Sequence, residues 1–385
     1  MICRKCNEEG TIVIKNDYIY CESCYLIYLN HKFRACIGKN KVIYPNEKVL
    51  VPLSGGVGST ALLDLIHTGI TLNTHKKLRI TPQFIHLTGT DKDCNTDLIA
   101  EQCRSYGFDV QIYNISNYST HNNFLLSDLT PRKTSNDFIA RIIQNALASV
   151  ARELACRLIF TAEPATDLAA KLLSDIVIGR GSQVENDIGF VDSRHENVKI
   201  LRPLRDITKE ELQYYIKIKG LVPACNQAKC NNLQAVIDGF VATLEKESPA
   251  TISTICKTAD KIGSDESSDS ENNCIFCKQV CQNKSKDAKK LSSIQAIMFS
   301  RMVSCMNKQY EVQMEHIENT NEEINEHTML PFIHERLCYS CSRMYAETDD
   351  PVLYVMPLQI NRKICSETHT FIFCFPTPIS QSLHW

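Results

Sequence analysis

The chain has 385 residues, 43% hydrophobic and 22% charged, which supplies enough apolar material for one large core or two modest ones. A formal net charge of −2 excludes a chain-wide positive field, so contact with nucleic acid has to come from local basic patches. The polar start from Met1 to Gly10 lacks a signal-peptide pattern and no run of about 18 apolar residues follows, so a cytoplasmic or nuclear address without membrane contact is expected.

In such a reducing compartment the 19 cysteines point to metal or sulfur chemistry rather than to a disulfide scaffold. The first of them, Cys3, Cys6, Cys21 and Cys24, form two CxxC pairs. A hairpin between the pairs would bring four thiolates around one zinc ion, in a closed shell that leaves no position for substrate. Residues 1–36 are therefore expected to form a structural zinc-binding module.

A largely apolar run, Lys48 to Leu53, leads into Ser54-Gly55-Gly56-Val57-Gly58-Ser59 and then into a helical pattern through Leu62, Leu63, Leu65 and Ile66. This predicts strand, Gly-rich turn and helix, with backbone N–H groups able to cradle a phosphate. Further strands are expected at Ile80 to Leu87, Phe108 to Ile115, Arg157 to Thr161 and Lys199 to Leu201. Helices are expected at Thr96 to Tyr106, Asn136 to Ala155, Thr166 to Ile178 and Thr208 to Lys219, the last ended by Gly220. Alternating β and α defines an α/β fold, a doubly wound parallel sheet over residues 40–260.

Residues 261–273 are acidic, Ser-rich and almost free of apolar side chains, which marks a linker. Residues 274–385 follow as a small cysteine-rich module with strand-like segments at Pro351 to Gln359 and Thr370 to Phe375. Cys274 and Cys277, with Cys338 and Cys341, offer a second zinc site across the polar stretch Glu315 to Thr328, with Cys281 as a substitute ligand.

Three segments in order carry a resemblance. The loop at Ser54 resembles the Ser-Gly-Gly-x-Asp-Ser loop of PP-loop ATP pyrophosphatases, with Val57 where Lys is frequent and Gly58 in place of Asp. Thr161 to Asp167 is similar to the family's Thr-Gly-His-Asn-x-x-Asp, with Glu163 and Pro164 replacing His and Asn. Arg202-Pro203-Leu204-Arg205 is similar to the Arg-Pro-Leu element of tRNA thiolases. Together with the N-terminal CxxC pairs, Lys32-Phe33-Arg34, Gly179-Arg180-Gly181 and Leu337-Cys338-Tyr339-Ser340-Cys341, the arrangement resembles the cytoplasmic tRNA 2-thiolation protein 2 family over nearly the whole chain.

The resemblance implies a subunit of the cytoplasmic thiolase that makes 2-thiouridine at the wobble position. Its partner would be a catalytic PP-loop subunit that holds ATP and Mg²⁺ and takes sulfur from a thiocarboxylated ubiquitin-like carrier. Ser54, Gly55, Gly56, Gly58 and Ser59 would form a degenerate nucleotide loop. Active relatives keep a CxxC ahead of the helix leading to the second motif, whereas Thr134 to Ala140 contains no cysteine. Cys225, near a later sulfur-handling position, is then expected to be structural or vestigial, with Cys230 close behind it. Lys32, Arg34, Arg180, Arg202 and Arg205 are the candidates for tRNA phosphate, while Lys39 and Lys41 are expected to be solvated charges and Phe33 to pack in the core. Alternative readings are an independently active ATP-dependent tRNA sulfurtransferase and a zinc-ribbon scaffold that recruits tRNA or the sulfur carrier without binding nucleotide.

Overall fold

The structure is a computed structural model, and it describes residues 2–14, 18–74, 77–89, 94–118, 136–181, 184–225, 233–248, 250–262, 273–274, 276–279, 338 and 340–341. The acidic linker from 263, the Glu315 to Thr328 stretch, Cys230, Cys281 and both late strand-like segments lie outside these residues.

Beginning at the N-terminus, a short antiparallel hairpin, β1 (Ile12–Ile14) and β2 (Tyr18–Tyr20), precedes the helix α1 (Glu22–Asn40). Tyr25, Leu29, Phe33, Cys36 and Ile37 are buried, recurring every three or four residues as one helical face requires. Burial of each large apolar side chain on that face contributes about 1.5–3 kcal/mol. That face joins the core that contains Val49, Leu62, Leu212 and Tyr215, so α1 runs straight through the boundary expected at residues 36–40. The cysteine module and the α/β domain share one packed helix.

The main sheet has the order β5-β4-β3-β6-β8-β7, built from β3 (Glu47–Pro52), β4 (Ile80–Thr88), β5 (Val110–Asn114), β6 (Leu158–Phe160), β7 (Val191–His195) and β8 (Val198–Leu201). All neighbouring pairs are parallel except β7 with β8. The edge strand β7 was not apparent from the sequence, because Val191-Asp192-Ser193-Arg194-His195 is mostly polar and reads as a loop. Side-chain alternation divides the sheet's faces: Val49 and Val51 join the core with α1, while Leu50 joins Ile85, Ile159 and Ile200 on the other face.

Helices α2 (Val57–Thr71), α3 (Thr96–Ser105) and α7 (Lys209–Lys219) contribute to the first core, and α4 (Asn136–Glu153) covers the second face. Thr208 and Glu211 close a capping box at the start of α7, and Gly220 ends it in the left-handed region at φ 64°. A further cluster joins α5 (Ala165–Val177), α6 (Val184–Ile188), α8 (Leu233–Glu247) and α9 (Ala250–Ala259) through Leu168, Leu172, Ile188, Val241 and Ile252. Strand order reverses direction at β3 and β6, which are adjacent, so the loops that follow them face each other at the sheet's carboxyl edge. Such switch points are where ligands bind in open α/β sheets.

Candidate functional site

The loop after β3 is held by backbone. Leu53 N–H donates to Ile85 O at 2.8 Å, Gly55 turns at φ 74°, and Gly56 is the N-cap of α2. Ser59 Oγ donates to Gly56 O at 3.0 Å and Ser54 Oγ lies 3.4 Å from Ser59 Oγ. The five loop residues predicted from sequence are therefore brought together at a helix N-terminus. The first turn of α2 contains no acidic residue. A Cβ at Gly58 would stand 2.3 Å from Ala162 O, so the segment after β6 presses directly on the loop's helix.

In that segment Glu163 Oε2 accepts from Thr161 Oγ1 at 3.1 Å and from Arg202 Nε at 2.9 Å. Burial raises this carboxyl, but Lys171 and Arg202 outweigh it and hold it below the usual range. Pro164 caps α5 without a side-chain hydrogen bond, and Asp167 pairs with Lys209 at 3.5 Å. An anionic, arginine-bound side chain thus stands in the motif where active relatives of PP-loop proteins keep His and Asn.

Behind Arg202 runs a buried charge network. Arg141 grips Asp187 through both Nη atoms at 2.7 and 2.6 Å, Arg194 bridges Asp187 and Asp192 at 2.5 Å each, and Arg202 lies 3.9 Å from Asp192. Burial raises Asp192, but Arg194 and then Arg202 bring it down to about 2, and Arg141 and Arg194 hold Asp187 well below its ordinary value.

Cys94 and Cys225 are joined by a disulfide at the same loop, with Cα atoms 4.6 Å apart. Cys225 N–H donates to Gly55 O at 2.9 Å, and Cys94 Sγ is 3.4 Å from Ser54 O. Sequence reasoning found Cys225 and missed Cys94, which lies 131 residues away and in no motif. The spacing of either residue contains no signal for the pair.

Both predicted cysteine tetrads assemble. The ligand atoms of Cys3, Cys6, Cys21 and Cys24 lie within 4.8 Å of one another, as do those of Cys274, Cys277, Cys338 and Cys341. Cys6 Sγ is 3.5 Å from Cys21 Sγ, and Cys277 Sγ is 3.6 Å from Cys338 Sγ. Four sulfurs at the usual ~2.3 Å from a tetrahedral zinc stand roughly 3.8 Å apart, so both sets fit that ion. Desolvation raises Cys3, yet backbone N–H groups of Cys21, Lys5 and Cys6 bring it down to about 6. The second set is entirely buried and docks on the α/β domain, where Ser340 Oγ donates to Gly179 O at 3.1 Å and Asn145 Nδ2 to Phe276 O at 3.4 Å.

The basic candidates need correction. Arg202 and Arg180 are both fully buried, so neither can meet phosphate. Arg202 serves Glu163 and the carbonyls of Asn186 and Gly189, while Arg180 Nη2 lies 3.6 Å from Cys341 Sγ and favours thiolate in the second tetrad. Lys32 Nζ spans both oxygens of Glu211 at 2.8 Å, and Arg205 pairs with Asp260 at 2.8 Å. Phe33 is buried as expected. Arg34, whose Nε donates to Asn30 O at 3.2 Å, opens instead onto a surface cleft.

A parallel sheet carrying a Gly-rich loop at its switch point, next to a degenerate second motif, defines a PP-loop α/β protein with two cysteine tetrads. The sequence model of the PP-loop domain matches residues 28–224, and that of cytoplasmic tRNA 2-thiolation protein 2 matches residues 232–343. The cytoplasmic tRNA 2-thiolation protein 2 of Aedes aegypti is 28% identical over 97% of this chain and 92% of its own length. That of Drosophila melanogaster is 30% identical over 78% of this chain and 81% of its own. The chain belongs to the cytoplasmic tRNA 2-thiolation protein 2 family. Among solved structures, the U34-tRNA thiolase NcsA from Methanococcus maripaludis with its [4Fe-4S] cluster superposes with a TM-score of 0.58 at 20% identity, covering 68% of this chain and 87% of that one, which supports the fold. No helix among the described residues is long and apolar enough to cross a membrane.

Proposed function

We propose that this chain serves 2-thiolation of the wobble uridine in cytoplasmic tRNA as the non-catalytic subunit of a heterodimer. A catalytic PP-loop partner supplies ATP, Mg²⁺ and the sulfur taken from a thiocarboxylated ubiquitin-like carrier. Family membership carries the process, and the close approach of Gly58 to Ala162 O carries the division of labour. Where an active loop places a carboxylate beside the phosphates, this backbone leaves no room for one.

The chemistry supports the same division. The C2 oxygen of uridine leaves poorly until ATP activates it, and a sulfur nucleophile then expels AMP. Ser54, Gly55, Gly56 and Ser59 retain the shape of a phosphate cradle, but Glu163 brings negative charge into the facing motif. Zinc at each tetrad would be closed and structural, fixing the hairpin to the start of α1, and Cys274 and Cys277 to Cys338 and Cys341 beside the Gly179 carbonyl that Ser340 meets.

The assay is thiouridine formation with ATP and a sulfur donor, using this chain alone, a catalytic partner alone and both together. Product only from the mixture is expected. Full activity from the partner alone would remove the proposed role. A second reading, an independently active sulfurtransferase, draws on the Cys94–Cys225 pair at the loop, and robust product from this chain alone would favour it.

A further inference from the structure

The loop site occupies the carboxyl edge of the sheet. At the other edge, where β3 and β4 begin, a cleft of about 420 Å³ is lined by Arg34, Gly38, Lys41, Tyr44, Lys77 and Arg79 over an apolar floor. A strand as long as β3 spans roughly 20 Å at about 3.3 Å per residue, so the cleft and the loop are separate places.

We infer that this cleft binds the phosphodiester backbone of RNA, as a second contact for the tRNA whose uridine is modified elsewhere on the complex. The inference rests on tRNA being the substrate of the assembly.

Three features carry it. The cations arise from three segments: Arg34 from the last turns of α1, Lys41 from its left-handed C-cap, and Lys77 and Arg79 from the approach to β4. Among the described residues no carboxylate lines the cleft, and none of the four cations forms an ion pair. Glu47, close by in sequence, is already committed, its Oε1 to Arg157 at 2.6 Å and its Oε2 to the Tyr44 N–H at 2.8 Å. Positive charge left without a partner among the described residues is charge available to an anion.

The aromatic at the rim distinguishes RNA from an acidic peptide. Tyr44 is 66% exposed, and the Arg157 guanidinium lies 5.0 Å from its ring centroid. An exposed ring backed by arginine and flanked by cations is the arrangement that stacks a base while phosphates track a basic groove. Gly38 keeps the groove open, since a Cβ built there meets nothing within 4 Å.

This opening supplies the decisive variant. Gly38→Glu places a carboxylate in the groove without removing any contact, and glycine to glutamate favours a helix. Binding is measured between an unmodified tRNA transcript with uridine at the wobble position and the full-length chain complexed with its catalytic partner, across a series of salt concentrations. In Gly38→Glu, and separately in Lys77→Glu with Arg79→Glu, Kd is expected to rise roughly tenfold or more, and the double variant's log K against log salt slope to fall by about two. Tyr44→Phe should bind normally and Tyr44→Leu weakly. Metal content and melting temperature should match wild type, which separates a lost contact from a lost fold.

Wild-type Kd and salt slope in both charge variants would overturn the inference while leaving tRNA as substrate. Failure of the wild-type complex to bind tRNA at all would overturn the parent reading along with it. Displacement of tRNA by polyaspartate at equal charge concentration, insensitive to Tyr44→Leu, would assign the cleft to an acidic protein instead.

Discussion

A Cβ atom at Gly58 would stand 2.3 Å from the carbonyl oxygen of Ala162. Helix α2 and the segment after β6 have closed together at the point where active PP-loop proteins carry Asp. Restoring that residue is therefore a structural change before it is a chemical one.

Gly58→Asp and Gly58→Ala are expected to destabilise the chain by about 1–3 kcal/mol, as overpacking against backbone does. Gly38→Ala, on α1 in open space, should instead stabilise by about 1 kcal/mol. Urea denaturation of the three variants checks the contrast. Equal stability of Gly58→Ala and wild type would show that the two segments separate freely.

Two zinc ions per chain are expected by elemental analysis. Cys21→Ser with Cys24→Ser should lose one, as should Cys274→Ser with Cys277→Ser. Because Cys21 precedes α1 and Cys24 lies in its first turn, loss of the first ion should also lower the stability of the shared core. Unchanged zinc content in either double variant would count against that site.

Lys32→Met should leave the buried Glu211 carboxylate without its cation, held only by the Thr208 N–H and the Tyr28 hydroxyl. With Lys32 at 22% and Glu211 at 4% side-chain exposure, a loss of about 1–3 kcal/mol is expected in chemical denaturation. Affinity for tRNA should hold under native conditions. A drop in affinity without a drop in stability would return Lys32 to the RNA contacts.

Acid should act in two stages. Burial, opposed by Asp192, lowers His195 from 6.5 to about 4, so the fold favours its neutral form. Stability from this group is complete above the unfolded value of 6.5 and declines as pH falls toward 4. Asp192, held down to about 2, contributes stability that is present above the unfolded 3.8 and lost as pH falls through 2. His195→Gln should flatten the denaturation midpoint between pH 6.5 and 4 and leave the lower stage intact. An unchanged upper stage would assign it to other groups.

The sequence by itself determined what depends on local spacing. The strands β3, β4, β5, β6 and β8 announced themselves through apolar runs, and the helices between them through helical periodicity, within a few residues of their observed ends. Both cysteine tetrads were legible because CxxC places two sulfurs on one side of a metal wherever the pair sits. The departures at Gly58, Glu163 and Pro164 were visible as changes of residue type, and the order of the motifs gave the family.

Only the tertiary structure decided which charges are spent inside the molecule. Arg180, Arg202, Lys32 and Arg205 look alike as cations in a chain, yet each is committed, to Cys341, Glu163, Glu211 and Asp260 respectively. Arg34 and Lys41 differ from them because the folded chain brings Lys77 and Arg79 alongside and, among the described residues, no carboxylate. In the same way Cys94 meets Cys225 across 131 residues, and Ala162 meets Gly58 where β6 pairs with β3. Partners chosen by packing leave no periodicity to read, because the contact is set by strand order and helix placement rather than by neighbours in sequence.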